Sequence, residues 1–138
     1  MKNFSKYIIK DYKYWSISVH FKPSYLGQCV VWCKRENALD LADATNEEQK
    51  ELFAILKELK RVAKKSFQPD WFNYAFLGNE TRHLHGHFVP RYSSPRRFKG
   101  VTFTDDRWGL IYQPYRNLVI SPRVVEAIRL KLKKGLRG

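Results

Sequence analysis

The sequence is poor in cysteine, with only Cys29 and Cys33. Both lie in QCVVWC, a stretch typical of a β-strand, where the usual rise per residue separates their α-carbons by roughly 13 Å. A disulfide needs α-carbons within about 7 Å of each other, so these two cannot bridge. No further ligands lie nearby to complete a zinc site. We therefore expect two buried free thiols in a cytoplasmic protein.

Long apolar runs are also absent. The N-terminal residues contain no uninterrupted apolar segment of the kind found in signal peptides, and no run approaches the length of about 20 residues that crosses a bilayer. We expect neither export nor membrane insertion, and no membrane partner.

Acidic residues are scarce relative to basic ones. Against 26 Lys and Arg there are 13 Asp and Glu, which leaves a net charge of +13. This excess favours polyanionic partners such as nucleotides or nucleic acid. The basic stretch that begins at Arg123 has two interpretations, a solvated helix and tail that keep the protein soluble, or a contact surface for nucleic acid.

Apolar side chains, in contrast, are plentiful. Hydrophobic residues make up 43% of the chain and aromatic residues 15%, which is enough to build an ordered core. A chain of 138 residues has the size of one domain. We predict a single domain over residues 1–138, with a functional core at about 15–92 and a basic C-terminal extension at about 93–138.

The first half of the chain predicts two strands and a helix. Residues 15–21, WSISVHF, alternate apolar and polar side chains as a half-buried strand does. Residues 28–33, QCVVWC, are apolar on both faces and so predict a central strand. Thr45 and Glu48 form a capping box that begins a helix at about 46–65.

The second half predicts a hairpin and a further helix. Residues 71–77 and 83–89 indicate two antiparallel strands joined by the turn GNET. Residues 93–118 favour loop with one short strand at most, and Ser121 with Pro122 begins a last helix. The sequence therefore predicts an α+β fold: a mostly antiparallel sheet of about five strands, a main helix packed on one face and a C-terminal helix.

His83, His85 and His87 occupy alternate positions of the last predicted strand, in a chain with four histidines. Alternate side chains of a strand share one face and lie about 7 Å apart. Four uses compete: a structural role, a metal site, general acid–base catalysis, and nucleophilic catalysis at phosphorus. The outer pair is about 13 Å apart at the backbone, so the three converge poorly on one ion. We predict no metal ligands.

Nucleophilic catalysis gives each histidine a task. A neutral imidazole with an ordinary pKa of about 6.5 attacks phosphorus without a separate base. The middle histidine would form a phosphoramidate, one neighbour would protonate the departing oxygen, and the other would orient the nucleophile's ring. The turn before the row offers backbone amides and the Asn79 side chain to an oxyanion. Arg82 and Arg91 bracket the row and raise the positive potential.

HLHGHFV followed by PR resembles the signature of the histidine-triad (HIT) superfamily of nucleotide hydrolases and transferases, in particular its diadenosine polyphosphate hydrolase-like members. The upstream segment, from KPSYLG to the helix start DATNEE, is similar as well, so the resemblance covers about residues 15–92. It implies an α+β sheet core and attack by the central histidine on an α-phosphate. A covalent nucleotidyl-histidine would form, which water or another acceptor resolves.

The resemblance also implies roles by position. His85 is the implied nucleophile, His87 contacts the phosphate and the leaving group, and His83 orients the site. The residues implied to bind the nucleotide or its phosphate are Gly78, Asn79, Glu80, Thr81, His20, Asn73 and Gln28. For Asn79 a plain turn residue, and for His20 a plain polar-face residue, remain alternatives.

Three positions depart from the family pattern. Gln28 stands where many members have histidine, and Glu80 places an acid where a small hydroxyl is common. Gly86 replaces an apolar residue inside the row. A strand glycine often marks the close approach of another segment, so we predict that a bulky side chain, Trp32 or Trp71, fills the space beneath it.

The sequence thus predicts a nucleotide phosphohydrolase or nucleotidyl transferase that acts at an α-phosphate through His85. The expected substrate is a dinucleoside polyphosphate or another nucleoside phosphate. No covalently bound cofactor is expected, and a divalent cation would enter with the substrate. Expected partners are the nucleotide, nucleic acid at the basic surface, and a second copy in a homodimer. Two other hypotheses remain: a nucleic-acid-associated binding or end-processing protein, and a metal-dependent hydrolase.

Overall fold

The computed structural model describes residues 5–113 and 118–136. Residues 114–117, at the end of the predicted loop and including Pro114, and residues 137–138 of the basic tail lie outside the described residues. The described chain forms a five-stranded sheet, a separate two-stranded hairpin, two α-helices and two single-turn 3-10 helices.

The main sheet is antiparallel throughout. Its strands, in chain order, are β1 (Ile8–Asp11), β2 (Trp15–Val19), β3 (Cys29–Cys33), β4 (Trp71–Ala75) and β5 (His85–Arg91). Their spatial order is β1-β2-β3-β5-β4. β3 is the central strand, as its apolar sequence predicts, and β4 is an outer strand. The predicted α+β fold is confirmed.

The main helix, α1 (Asn46–Phe67), begins at the predicted capping box. The Thr45 hydroxyl accepts the N–H of Glu48 at 3.1 Å, and the Glu48 carboxylate accepts the N–H of Thr45 at 2.8 Å. The helix ends where Gln68 adopts a left-handed backbone, φ 51°. The predicted helix is therefore confirmed and extends slightly further than expected.

The second helix, α2 (Pro122–Gly135), begins at the predicted Ser121 cap, whose side chain accepts the N–H of Val124 at 3.3 Å. It packs against β1, β2 and α1 through four buried residues, Val124, Val125, Ile128 and Leu132. The basic extension thus contributes to the same hydrophobic core as the sheet.

The two faces of the sheet differ. One face packs against α1 and is apolar; its fully buried members include Trp15, Ile17, Cys29, Val31, Cys33, Leu84 and Phe88. Both cysteines are free and buried, as predicted. The other face carries His85 and His87 and is called here the histidine face. Strand alternation alone assigns the residues of β2, β3 and β5 to these two faces.

Three local features differ from the prediction. β1 is unpredicted because its four residues are too few to show a period. Residues 93–113 contain two short strands, β6 (Arg96–Phe98) and β7 (Val101–Phe103), not one at most. Their turn has positive φ at Lys99 and Gly100, a geometry usually signalled by Asn or Asp at the first position. Phe21, expected on the apolar face, lies beyond β2 and is 43% exposed.

The part of the chain that the structure describes contains no helix both long enough and apolar enough to span a membrane.

Candidate active site

The histidine row lies at the N-terminal end of β5. His85 is opposite Trp32 and His87 is opposite Val30, both in the central strand β3. The strand was predicted to begin at His83, but it begins at His85, so His83 precedes it. All three histidines are half-buried, so each ring has both a protein side and an open side.

His85 is held in one tautomer by the backbone. Its Nδ1 lies 2.6 Å from the carbonyl oxygen of His83. A carbonyl oxygen can only accept, so Nδ1 carries a proton, and in the neutral ring Nε2 keeps its lone pair. The predicted nucleophile therefore presents an unprotonated nitrogen, which is the form that attacks phosphorus.

His83 contacts His85 through its backbone rather than through its ring. That one histidine of the row orients the nucleophile's ring stays a prediction, and the carbonyl group of His83 is placed to do so. The His83 imidazole is used elsewhere: its Nε2 lies 2.6 Å from the carbonyl oxygen of Cys33 and must donate to it. This bond fixes the His83 ring at the end of β3.

His87 lies between two other imidazoles. Its ring centroid is 5.4 Å from that of His85 and 6.0 Å from that of His20. Its Nδ1 is buried and has no hydrogen-bond partner among the described residues. Burial, and then the neighbouring His85, lower the pKa of His87 below its ordinary value. Without a bound anion, the His87 ring therefore favours the neutral form.

His20 completes the cluster, so the four histidines of the chain lie together. Its Nδ1 accepts the N–H of Lys22 at 3.0 Å, which places its proton on Nε2. Its ring stacks on Phe21 at 5.0 Å. Burial, and then the proximity of His87, lower the pKa of His20 from 6.5 to about 4. His20 is thus a neutral N–H donor beside the row.

Trp32 is a site residue that sequence reasoning missed. Its indole stacks on His83, with ring centroids 4.2 Å apart and planes 15° from parallel, and on His85 at 5.4 Å and 29°. The side chain is 38% exposed. Strand alternation could have placed Trp32 on one face of β3, but only the register of β3 against β5 puts it beside His85.

The space beneath Gly86 is filled by Phe76. A Cβ built on Gly86 would lie 2.3 Å from the Phe76 ring. The prediction that a bulky group fills this space is confirmed, but the choice of Trp32 or Trp71 is wrong. Trp32 is on the histidine face, and Trp71 is 65% exposed at the far end of β4. Phe76 follows β4 directly and folds under β5.

The turn before the row has the predicted place in the chain. Gly78 has a left-handed backbone, φ 62°, and lines a cleft beside His83 and His85 together with Arg82. Asn79, Glu80 and Thr81 are exposed, and the Thr81 carbonyl accepts the N–H of His83 at 2.8 Å. This segment remains the predicted phosphate-contacting turn.

Gln28 is on the histidine face but is almost fully buried, at 1% exposure. Its side-chain oxygen accepts the N–H of Ser24 at 3.1 Å, and its backbone oxygen accepts the N–H of His20 at 2.9 Å. Gln28 therefore braces the turn that carries His20.

Asn73 is also occupied by protein contacts. Its side-chain oxygen accepts a hydrogen bond from Arg91 at 2.6 Å. Arg91 is 3% exposed and forms a bidentate pair with Asp105, at 2.6 and 3.0 Å. The expectation that Arg91 adds positive potential to the row is wrong, because its charge is neutralised inside this network. Arg82, at the other end, is exposed.

Among the described residues, no group of three or more His, Cys, Asp or Glu side chains is arranged to hold a metal ion.

Comparison with known proteins gives concordant matches. The family described as the HIT domain matches residues 2–94. The chain is 30% identical over 99 residues to a bis(5'-adenosyl)-triphosphatase of Saccharomyces cerevisiae strain YJM789, an alignment that covers 64% of this chain and 48% of the yeast protein. The chain thus spans about half the length of the curated relatives that it matches.

Solved structures share the fold. A histidine triad protein from Marinobacter aquaeolei VT8 superposes with a TM-score of 0.73 at 15% identity, over 97% of this chain and 92% of that one. A histidine triad protein from Bradyrhizobium japonicum gives a TM-score of 0.71 at 22% identity, over 94% and 89% of the two chains. At these identities the likeness shows the fold alone.

Proposed function

This chain belongs to the HIT domain family, as its motifs predict, and we propose that it is a nucleotide phosphohydrolase or nucleotidyl transferase that cleaves its substrate at an α-phosphate. The observation that carries the proposal is the bond between His85 Nδ1 and the His83 carbonyl. In the neutral ring it leaves Nε2 of His85 with a lone pair, on a half-buried side chain of the histidine face.

The first chemical step is attack by His85. The Nε2 lone pair forms a bond to the α-phosphorus while the bond from phosphorus to the bridging oxygen breaks. His87 stands beside His85 and gives a proton to the departing oxygen. Because the negative charge of a bound polyphosphate favours the protonated imidazole, substrate binding opposes the low pKa of the free His87.

The second step releases the nucleotide. Water, or another acceptor, attacks the nucleotidyl group and gives its proton to His87, which became neutral in the first step, while His85 departs with its lone pair restored. The phosphates are proposed to contact the turn formed by Gly78, Asn79, Glu80 and Thr81. His20 is proposed to donate a hydrogen bond from its Nε2–H to the ribose or phosphate. Gln28 and Asn73, both held by protein contacts, are proposed to act by shaping this pocket. No covalent cofactor is proposed, and a divalent cation would accompany the substrate.

The substrate proposed first is a dinucleoside polyphosphate, because the yeast relative is named as a bis(5'-adenosyl)-triphosphatase. Incubation with labelled diadenosine triphosphate, followed by rapid quenching, should trap label on His85. His85→Ala should abolish both labelling and turnover while its circular dichroism spectrum stays native. If His85→Ala turns over the best substrate as fast as the wild type, the proposal fails.

A second proposed function is binding of nucleic acid by a basic surface on the α1 side of the molecule. Its exposed members are Lys64, Lys65, Arg97, Lys99, Lys131 and Lys134. Contacts join their three elements: the Phe67 and Phe98 rings lie 5.5 Å apart, and Lys131 Nζ is 5.8 Å from each ring centroid. This surface is on the opposite face of the sheet from the histidines.

Salt dependence tests the second function. The logarithm of the affinity for a short single strand should fall with the logarithm of salt concentration, with a slope of about −0.7 for each phosphate contacted. Replacing Lys64, Lys65, Lys131 and Lys134 with Gln should flatten this slope. The matched control removes four exposed lysines elsewhere, namely Lys6, Lys10, Lys13 and Lys22. Equal slopes in the two variants would contradict the assignment to this surface.

A homodimer and a cytoplasmic location are also proposed. The outer strand β4 exposes Trp71 and Tyr74, at 65% and 41%, and an unpaired strand edge can pair with a second copy. Sedimentation should give a dimer that Trp71→Lys dissociates; a monomeric wild type would contradict this. Two unpaired buried thiols favour a reducing compartment.

A further inference from the structure

His85 becomes positively charged during the proposed reaction, and its hydrogen-bond partner cannot remove that charge by accepting a proton. When Nε2 bonds to phosphorus, the ring carries substituents on both nitrogens, phosphorus on Nε2 and hydrogen on Nδ1. The Nδ1 proton is bonded to the carbonyl oxygen of His83 at 2.6 Å. A carbonyl oxygen cannot take that proton as a carboxylate could, so the nucleotidyl-imidazole keeps a positive charge.

Trp32 lies against this ring in a stacked arrangement. The indole and the His85 imidazole have centroids 5.4 Å apart and planes 29° from parallel. An aromatic face attracts a cation within about 6 Å of its centroid, and tryptophan does so most strongly. The attraction to a neutral ring lacks this component, so it appears only as the reaction charges His85.

No described ion pair supplies this stabilisation. The other rings near His85 are His83, which stacks on the same indole, and His87. The ion pair between Arg35 and Glu48, which follows β3 in the chain, involves a carboxylate that is buried with α1 on the other face of the sheet. Asp40 lines the same cleft as His85, but its carboxylate accepts the N–H of Ala42. The indole face is therefore an electron-rich group stacked on the nucleophile's ring.

We propose that Trp32 is a positioning residue that stabilises the nucleotidylated, positively charged form of His85. This inference rests on the proposed function, since it requires His85 to be the nucleophile. The inference predicts different effects on the rates of the two chemical steps. The interaction strengthens as the covalent bond to phosphorus forms, and it weakens as that bond breaks. Loss of Trp32 should slow nucleotidylation and should not slow hydrolysis of the covalent intermediate.

The test uses Trp32→Phe, Trp32→Met and Trp32→Leu in single-turnover experiments on diadenosine triphosphate. Phe and Met fill similar volumes, but only Phe keeps an aromatic face. Trp32→Met and Trp32→Leu should lower the rate of His85 labelling roughly 3- to 30-fold, and Trp32→Phe should restore part of it. In every variant the decay rate of the intermediate should equal or exceed that of the wild type. KM should change little, because the neutral ground state gains little from the indole.

The matched control is Trp108→Leu, since Trp108 is 44% exposed against 38% for Trp32 and lies in the loop after β7. It should leave both rates unchanged. Equal slowing of both steps in Trp32→Met, or equal rates in the Phe and Met variants, would overturn the inference and leave His85 as the nucleophile. If wild-type protein carries no label on His85 with any nucleotide, the proposed function itself fails.

Discussion

The basic side chains at the two ends of the histidine face of β5 differ in how fully they are hydrogen-bonded within the protein. At the N-terminal end, His85 and His87 are half-buried, and one ring nitrogen of His87 has no partner among the described residues. At the C-terminal end, Arg91 donates five hydrogen bonds to described residues. On the same strand face, the N-terminal end thus has a ring nitrogen without a hydrogen-bond partner among the described residues, whereas every N–H of the Arg91 guanidinium group donates a hydrogen bond.

This difference suggests separate roles for the two ends, stability at the Arg91 end and catalysis at the histidine end. Burial alone would raise the pKa of Asp105, but its bonds to Arg91 and to the amides of Tyr92 and Arg107 hold it below its ordinary value. A buried charge pair of this kind is costly to break. At the other end, Nε2 of the half-buried His85 makes no hydrogen bond to a described residue, and it is the atom proposed to meet the substrate. Changes at the Arg91 end should therefore affect folding, and changes at the histidine end should affect turnover.

The largest effect is expected for Arg91→Met. It removes the partner of Asp105, whose side chain is 1% exposed, and should lower the free energy of unfolding by about 3 to 5 kcal/mol. Urea denaturation measures this loss. The control is Arg96→Met, whose pair with Asp70 is partly exposed and should contribute about 1 kcal/mol or less. Similar losses in both variants would remove the distinction between the two ends.

His87→Gln tests the other end. Loss of the proton donor should slow cleavage of a poor leaving group by about 10²-fold or more. A nucleotide p-nitrophenyl ester, whose leaving group needs no proton, should be cleaved nearly as fast as by the wild type. The free energy of unfolding should change by about 1 kcal/mol or less. A stability loss as large as that of Arg91→Met would mean that the histidine end is also structural.

Local patterns predicted the elements of the site, but they could not predict how those elements meet. The capping box at Thr45 and the Ser121 cap depend on a few neighbouring residues, and both were found where expected. The alternating histidines are equally local, and His85 and His87 lie on the predicted strand, although His83 precedes it. Trp32 and Phe76 join the site through strand register and through the path of the chain after β4. Neither relation has a period that a sequence shows.

Arg91 illustrates the same limit for charge. Its place on the histidine face follows from alternation along β5, yet its role depends on Asp105, which belongs to a loop after β7. Formal charge along the chain does not reveal which ions neutralise one another in space. The positive potential expected around the row therefore included a charge that is cancelled inside the protein.

Gly86→Ala tests how tightly the strand under the histidines is packed. The new Cβ would lie 2.3 Å from the Phe76 ring, so either Phe76 or β5 must shift, at a cost of about 1 to 3 kcal/mol. In a Phe76→Leu background the same substitution should cost less, because the shorter side chain leaves room. A double-mutant cycle with thermal unfolding measures this coupling. An equal cost in both backgrounds would mean that Phe76 does not set the constraint.

The smallest effect expected is a pH dependence of stability that originates at His20. The folded protein keeps His20 neutral down to about pH 4, whereas the unfolded residue takes up a proton near its ordinary pKa of 6.5. The stability that depends on neutral His20 is therefore fully present above about pH 6.5 and is lost as the pH falls toward 4. His20→Asn keeps an oxygen that can accept the N–H of Lys22 but cannot titrate. Between about pH 7.5 and 5.5, the variant should lose about 1 kcal/mol less unfolding free energy than the wild type. Urea titrations at the two pH values measure this difference. Equal losses of unfolding free energy in the variant and the wild type would show that the fold does not hold His20 neutral.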